Sequence, residues 1–130
     1  MSAVVDIKQA TDNLTENVID CAIEVHRALG PGLLETVYEN ALAEELRYQG
    51  VDFDQQKRLP VFYREKMVGE FIIDLVVANE LVVELKSVEH HDPVFETQLL
   101  TYMKLGGIRT GLLINFNKRL LKDGIIRRVL

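Results

Sequence analysis

The stretch EFIIDLVVANELVVELK, Glu70 to Lys86, holds two runs of apolar and β-branched residues separated by Ala78-Asn79-Glu80. That texture around a short break predicts two antiparallel strands joined by a tight turn. Side chains alternate along a strand, so Phe71, Ile73, Leu75 and Val77 are expected on one face and Glu70, Ile72, Asp74 and Val76 on the other. In the second run Leu81, Val83 and Leu85 match the first face, and Val82, Glu84 and Lys86 join Asp74. With Val77 paired to Leu81 across the turn, counting back along both strands sets Asp74 opposite Glu84.

Carboxylates so placed have Cβ atoms about 4.5 to 5.5 Å apart. They repel by roughly 3 kcal/mol at an effective dielectric near 20. A divalent cation between them reverses the sign of that interaction. Hard oxygen donors suit Mg²⁺ or Mn²⁺, with the Leu85 carbonyl as an extra ligand, and no Cys/His quartet exists for a structural zinc. Lys86 points to the same side, where it can orient an attacking water or neutralise a phosphate, the layout of metal-assisted phosphodiester hydrolysis. An ion network in which Lys86 bridges the two carboxylates fits the same spacing.

Upstream, a third strand is predicted at about residues 53–63, completing with 67–77 and 81–87 an antiparallel meander. Before it, Leu14, Val18, Ala22, Val25 and Leu29 recur at helical spacing and stop at Gly30-Pro31. Leu34, Val37, Tyr38, Ala41, Leu42 and Leu46 form a second helical stripe closing at Gly50. Downstream, Asp92 is an N-cap candidate with Pro93 in the favoured first position, and Phe95, Leu99, Tyr102 and Met103 give a third helix ending at Gly106-Gly107. Gly111 to Phe116 reads as a buried strand and Ile125 to Leu130 as a terminal edge. The order is ααβββαββ, an α/β fold without internal repeat or linker.

Two polar residues sit on otherwise apolar helical stripes. Glu35 opens the second helix beside Tyr38 and Leu42, and Gln98 lies within the Phe95, Leu99, Tyr102 surface. Each is in reach of the polar side of the sheet. A first-turn carboxylate favoured by the helix dipole accounts for Glu35 equally, and a boundary position for Gln98.

Taken in order, Gly32-Leu33-Leu34-Glu35-Thr36-Val37-Tyr38, then Asp74, then Val83-Glu84-Leu85-Lys86, then Gln98-Leu99-Leu100-Thr101-Tyr102 and Gly111-Leu112-Leu113-Ile114-Asn115-Phe116, resemble the GxxExxY protein family of the PD-(D/E)xK nuclease superfamily. The resemblance runs from about Val18 to Arg128. It implies a restriction-endonuclease-like core, a mixed sheet with the three-strand meander flanked by helices. It also implies that Asp74 and Glu84 are metal-binding carboxylates, Lys86 the active-site lysine, Glu35 the helical glutamate supporting the metal, and Gln98 the glutamine of the following helix. Ile73 stands where the superfamily's nominal residue is proline.

Other polar residues are read more plainly. His90-His91, after the strand at 81–87, falls beside the metal site or in a solvated loop. His26 reads as packing or surface, and Tyr38 and Tyr102 as core residues rather than base-stacking platforms. Cys21 among Ile19, Ala22 and Ile23 reads as a small buried thiol.

With 130 residues, 48% hydrophobic and 27% charged, one domain spanning residues 1–130 with a packed core is expected, not a disordered chain. No uncharged run approaches a membrane span, and Met1 to Ile7 shows no secretory signal, so a cytoplasmic location is expected. The net charge of -5 argues against binding nucleic acid by bulk charge. Its distribution is uneven, however, because residues 104–130 hold 7 Lys/Arg and only Asp123. Lys104, Arg109, Lys118, Arg119, Lys122, Arg127 and Arg128 form either a phosphate-contacting rim or a solvated face.

The leading expectation is a Mg²⁺-dependent nuclease with Asp74, Glu84 and the Leu85 carbonyl on the ion, Glu35 supporting it through water, and Lys86 positioning the attacking water. Nucleic acid, DNA before RNA, is the expected partner, with a homodimer or a partner protein supplying the surface a small core lacks. A nuclease-fold binding or regulatory module without turnover is the alternative, and an RNA-directed enzyme the third reading.

Overall fold

In the computed structural model, which describes residues 3–130, the chain opens with two helices, α1 (Ala3–Leu29) and α2 (Glu35–Tyr48). Met1 and Ser2, the first residues of the stretch read as lacking a secretory signal, lie outside the described residues. The α1 helix starts well before Leu14, the first residue of its apolar stripe, and ends at Gly30, whose left-handed φ of 70° lets its N–H reach the His26 carbonyl at 2.8 Å. Three strands follow, β1 (Phe53–Tyr63), β2 (Lys66–Val77) and β3 (Leu81–Lys86), within a residue of the expected bounds. The third helix, α3 (Pro93–Gly106), begins with Asp92 accepting the Val94 N–H at 3.0 Å and Pro93 in its first turn. Strand β4 (Thr110–Asn115), a short 3-10 turn (Leu121–Gly124) and β5 (Ile125–Val129) complete the described fold. Among the described residues no helix is long and apolar enough to cross a membrane.

The five strands form one mixed sheet in the order β1-β2-β3-β4-β5, antiparallel except for the β3–β4 pair that α3 connects. This is the expected α/β architecture. One core lies between the sheet and α1 with α2, around Val18, Ala22, Tyr38, Leu42, Leu75, Leu85, Leu112 and Phe116. The other lies under α3, around Ile73, Val76, Val82, Leu99, Met103 and Leu113. Because both faces of β3 and β4 are covered, neither strand alternates in polarity as a half-exposed one does. Gly111 lets α3 come this close, since a Cβ there would stand 2.5 Å from Met103 Sδ and 2.9 Å from Leu99 Cδ1.

The expected side-chain alternation of β2 needs correction. Leu75 and Val77 face α1 and α2, but Ile73 packs under α3, and Phe71 meets the Tyr102 ring of α3 at 5.4 Å. Strand β1 shows the same reversal, with Phe53 against the first core and Leu59 against the second. Gln56 and Asp74 drop out of the ladder between Gln55↔Leu75 and Lys57↔Ile73, and Gln56 takes a left-handed φ of 54°. Both strands turn over at that point, so faces assigned by parity from one side do not carry across it.

Beyond the sheet, β1 and β2 continue as a two-stranded ribbon, because β2 pairs with β3 only through Leu75, Val76 and Val77. The ribbon exposes Phe62, Tyr63, Met67 and Val68, carries Pro60 in its outer strand and shifts register between Val61 and Phe62.

Candidate active site

The tight turn at Ala78-Asn79, closed by the Glu80 N–H on the Val77 carbonyl at 2.9 Å, pairs Val77 with Leu81 and so brings Asp74 level with Glu84. The ladder stops at Leu75↔Val83. At the next position the carboxylates take over the role of backbone carbonyls, as Glu84 Oε1 accepts the Asp74 N–H at 3.0 Å and Asp74 Oδ2 accepts the Leu85 N–H at 2.9 Å. Glu84 is only 6% exposed. Burial first, and the Asp74 charge second, push its pKa up to about 8, against the opposing pull of the Asp74 N–H and of Lys86.

Lys86 stands at the carboxyl end of β3, and its backbone is well anchored. Its carbonyl takes the Phe116 N–H at 2.9 Å, the adjacent Ser87 hydroxyl donates to the Leu33 carbonyl at 2.6 Å, and Asn115 holds both polar groups of Val88. Its ammonium lies 4.5 Å over the Phe95 ring and makes no ion pair within 4.0 Å of either carboxylate. A salt-bridged network spanning Asp74 and Glu84 is therefore not how the sheet accommodates the acidic pair.

Glu35, half-buried in the first turn of α2, lies near enough to both groups that its pKa is raised by burial first and by Asp74 next, and lowered by Lys86. Gln98 is exposed on α3, one turn from both Phe95 and Tyr102, and makes no hydrogen bond to the pair. Tyr102 faces the site more directly, its hydroxyl pKa raised by burial and then by the charges of Glu84 and Asp74.

Glu39 was not singled out in the sequence, although it follows Glu35 by one helical turn. It is 4% exposed. Its oxygens accept from the amides of Gln55 and Gln56, each at 2.7 Å, and the Gln56 amide also reaches Asp74 Oδ1 at 3.3 Å. Burial raises its pKa, the Gln55 bond lowers it and the Asp74 charge raises it again. The cluster is thus Glu35, Glu39, Asp74 and Glu84, with Lys86 at its edge.

The remaining polar residues sort by contact. His26 is buried with Nε2 at 2.6 Å from the Lys118 carbonyl, a packing role. Tyr38 stacks on Phe116 at 4.5 Å while its hydroxyl donates to the Gly30 carbonyl at 2.5 Å and accepts the Leu33 N–H at 3.1 Å, which holds the loop before Glu35. Cys21 is buried, and its thiol pKa is raised mainly by that burial. His90 is exposed, whereas His91 contacts Glu96 at 3.3 Å and lines a pocket of about 80 Å³ with Lys86, Phe95 and Lys118. The basic C-terminal strip disperses: Arg127 pairs with Asp12, Arg128 with Glu96, and Arg119 and Lys122 line a separate groove with Arg27.

Among the described residues no group of three or more His, Cys, Asp or Glu side chains is arranged to hold a metal ion. The donor chemistry nevertheless suits a hard divalent cation, since the site offers only oxygen ligands and concentrates negative charge that no protein cation pairs. Residues 12–129 match the family model described as the PD-(D/E)XK nuclease superfamily. No curated protein and no solved structure matches the chain.

Proposed function

The chain belongs to the PD-(D/E)XK nuclease superfamily, and from that premise we propose that it hydrolyses phosphodiester bonds of nucleic acid, DNA in the first place, with Mg²⁺ or Mn²⁺. Within the superfamily the GxxExxY family is the proposed subgroup. Asp74, Glu84 and the Leu85 carbonyl hold the ion, and Glu35 supports it through water. When bound, the ion polarises the scissile phosphate and offsets the charge that develops on it. Lys86 orients the attacking water, and Gln98 borders the bound strand from α3.

The observation that carries this reading is the Asp74–Glu84 crossing, where Glu84 Oε1 accepts the Asp74 N–H at 3.0 Å, Asp74 Oδ2 accepts the Leu85 N–H at 2.9 Å, Glu84 is buried and Lys86 makes no ion pair. A buried carboxylate kept beside another is costly, and a purely structural sheet gains nothing from it. The same excess of negative potential that favours a proton there favours a divalent cation at neutral pH.

Cleavage of supercoiled, linear and single-stranded DNA and of RNA, each with Mg²⁺ or Mn²⁺, is the test. Metal-dependent cutting by wild type that Asp74→Asn abolishes is expected. Equal cutting by both proteins would overturn the assignment, and no cutting of any substrate by wild type would leave a binding module as the better account.

A further inference from the structure

We infer that Gln56, locked in place by Glu39, is a positioning residue that sets the orientation of the Asp74 carboxylate; the inference rests on the metal-site reading above. A buried carboxylate ordinarily has a cationic partner, because its desolvation otherwise goes uncompensated. Glu39 has amides instead, with Oε2 taking Gln55 and Oε1 taking Gln56, each at 2.7 Å. The Gln55 amide also reaches Asn40 Oδ1 at 2.9 Å, a bond that ties β1 to α2. Gln56 has a different second acceptor, Asp74 Oδ1 at 3.3 Å.

Adjacent residues of a regular strand point to opposite faces, yet Gln55 and Gln56 both reach Glu39. The left-handed φ of 54° at Gln56 makes this geometry available. For a residue with a Cβ that conformation is strained. Glycine would relieve the strain but could not donate. With Oδ1 held by Gln56 and Oδ2 held by the Leu85 N–H at 2.9 Å, the Asp74 carboxylate is fixed at both oxygens while keeping lone pairs free for a ligand. Glu39 and Gln56 thus stand to Asp74 as a hydrogen-bonded outer shell stands to a metal ligand.

Gln55 supplies the control, because it shares Glu39 and the strained segment but does not touch Asp74. Calorimetry with Mn²⁺ on folded wild type, Asp74→Asn, Gln55→Met and Gln56→Met, with melting temperatures alongside, separates positioning from simple attachment of β1 to α2. Gln56→Met is expected to weaken Mn²⁺ binding about 10- to 100-fold, the scale for lost outer-shell partners, while Gln55→Met changes stability comparably and affinity little. Gln56→Gly, which relieves the backbone strain but cannot donate, is the second variant should Gln56→Met not fold, and carries the same expectation. If Asp74→Asn lowers the affinity but Gln56→Met binds like wild type, or both Met variants lose affinity equally, the inference is overturned and the metal site stands. If wild type and Asp74→Asn bind alike, the metal-site reading is overturned and the inference with it.

Discussion

The two ends of the β2–β3 pair lie one short step apart and obey different physics. At Val77↔Leu81 the strands are in regular register, and both side chains are fully buried in the core beneath α1 and α2. At Asp74 and Glu84 the ladder gives way, each strand offers an N–H to the other's carboxylate, and an acidic pair of buried Glu84 and half-buried Asp74 replaces apolar packing. Folding alone accounts for the first end, because burial of apolar area stabilises it directly. The second end works against folding, and the proposed metal site gives that cost a purpose.

The largest effect that separates the ends is expected from Asp74→Asn. It should lower metal-dependent cleavage by about 10³-fold or more and abolish the rise in melting temperature with Mg²⁺, as scanning calorimetry and single-turnover kinetics would register. Val77→Ala, in the same strand, should cost about 2 to 3 kcal/mol of stability in urea titration and leave cleavage per folded molecule unchanged. A Val77→Ala protein that folds but does not cut would erase the distinction between the two ends.

Lys86→Ala comes next, with single-turnover cleavage lowered by about 10² and the metal-induced stabilisation largely kept. A loss of stability alone, with full cleavage per folded molecule, would move Lys86 to the structural side of the comparison.

Acid and base titration sharpens the contrast further. Glu84 is raised from an ordinary 4.5 to about 8, so its contribution is fully present below pH 4.5 and is lost as pH rises through 8. Metal-free protein should therefore lose stability between these limits, by at most about 1.4 kcal/mol per pH unit from this group. Glu84→Gln should flatten that slope, and saturating Mg²⁺ should oppose it. An unchanged urea midpoint across the window in wild type would show that Glu84 titrates normally.

The smallest effect belongs to the turn that fixes the register. Ala78, exposed and at a left-handed φ of 52°, is strained. Ala78→Gly should stabilise the protein by about 0.5 to 1 kcal/mol with no change in cleavage, because relief of the backbone exceeds the added chain entropy of glycine.

Much of this was legible in the sequence because it depends on short-range rules. Strand bounds and helix ends followed from periodicity and from Gly30, Gly50, Asp92-Pro93 and Gly107, though not the early start of α1, and the level placing of Asp74 and Glu84 followed from the length of one turn. The reversal at Gln56 was not legible, since glutamine has no marked left-handed preference and the contacts that hold it, to Glu39 of α2 and Asp74 of β2, are distant in sequence. Glu39 escaped notice for a related reason: a glutamate beside a core tyrosine reads as solvent-facing until the amides that receive it are known. The basic strip looked continuous in sequence, but the strand and turn that carry it send neighbouring side chains to Asp12, Glu96 and the groove beside Arg27.

The ribbon formed by the outer halves of β1 and β2 has a consequence for how the protein behaves at high concentration. Unpaired strand edges bordered by Phe62, Tyr63, Met67 and Val68 are the template from which sheets extend between molecules. Pro60 removes one backbone donor from the outer edge, the register shift after Val61 bends it, and Arg64, Glu65 and Lys66 crowd its tip with charge. Strand-by-strand growth into fibrils is thereby impeded while the apolar side chains stay available. Whatever approaches the β1 edge of this ribbon meets it through side chains more readily than by adding another strand.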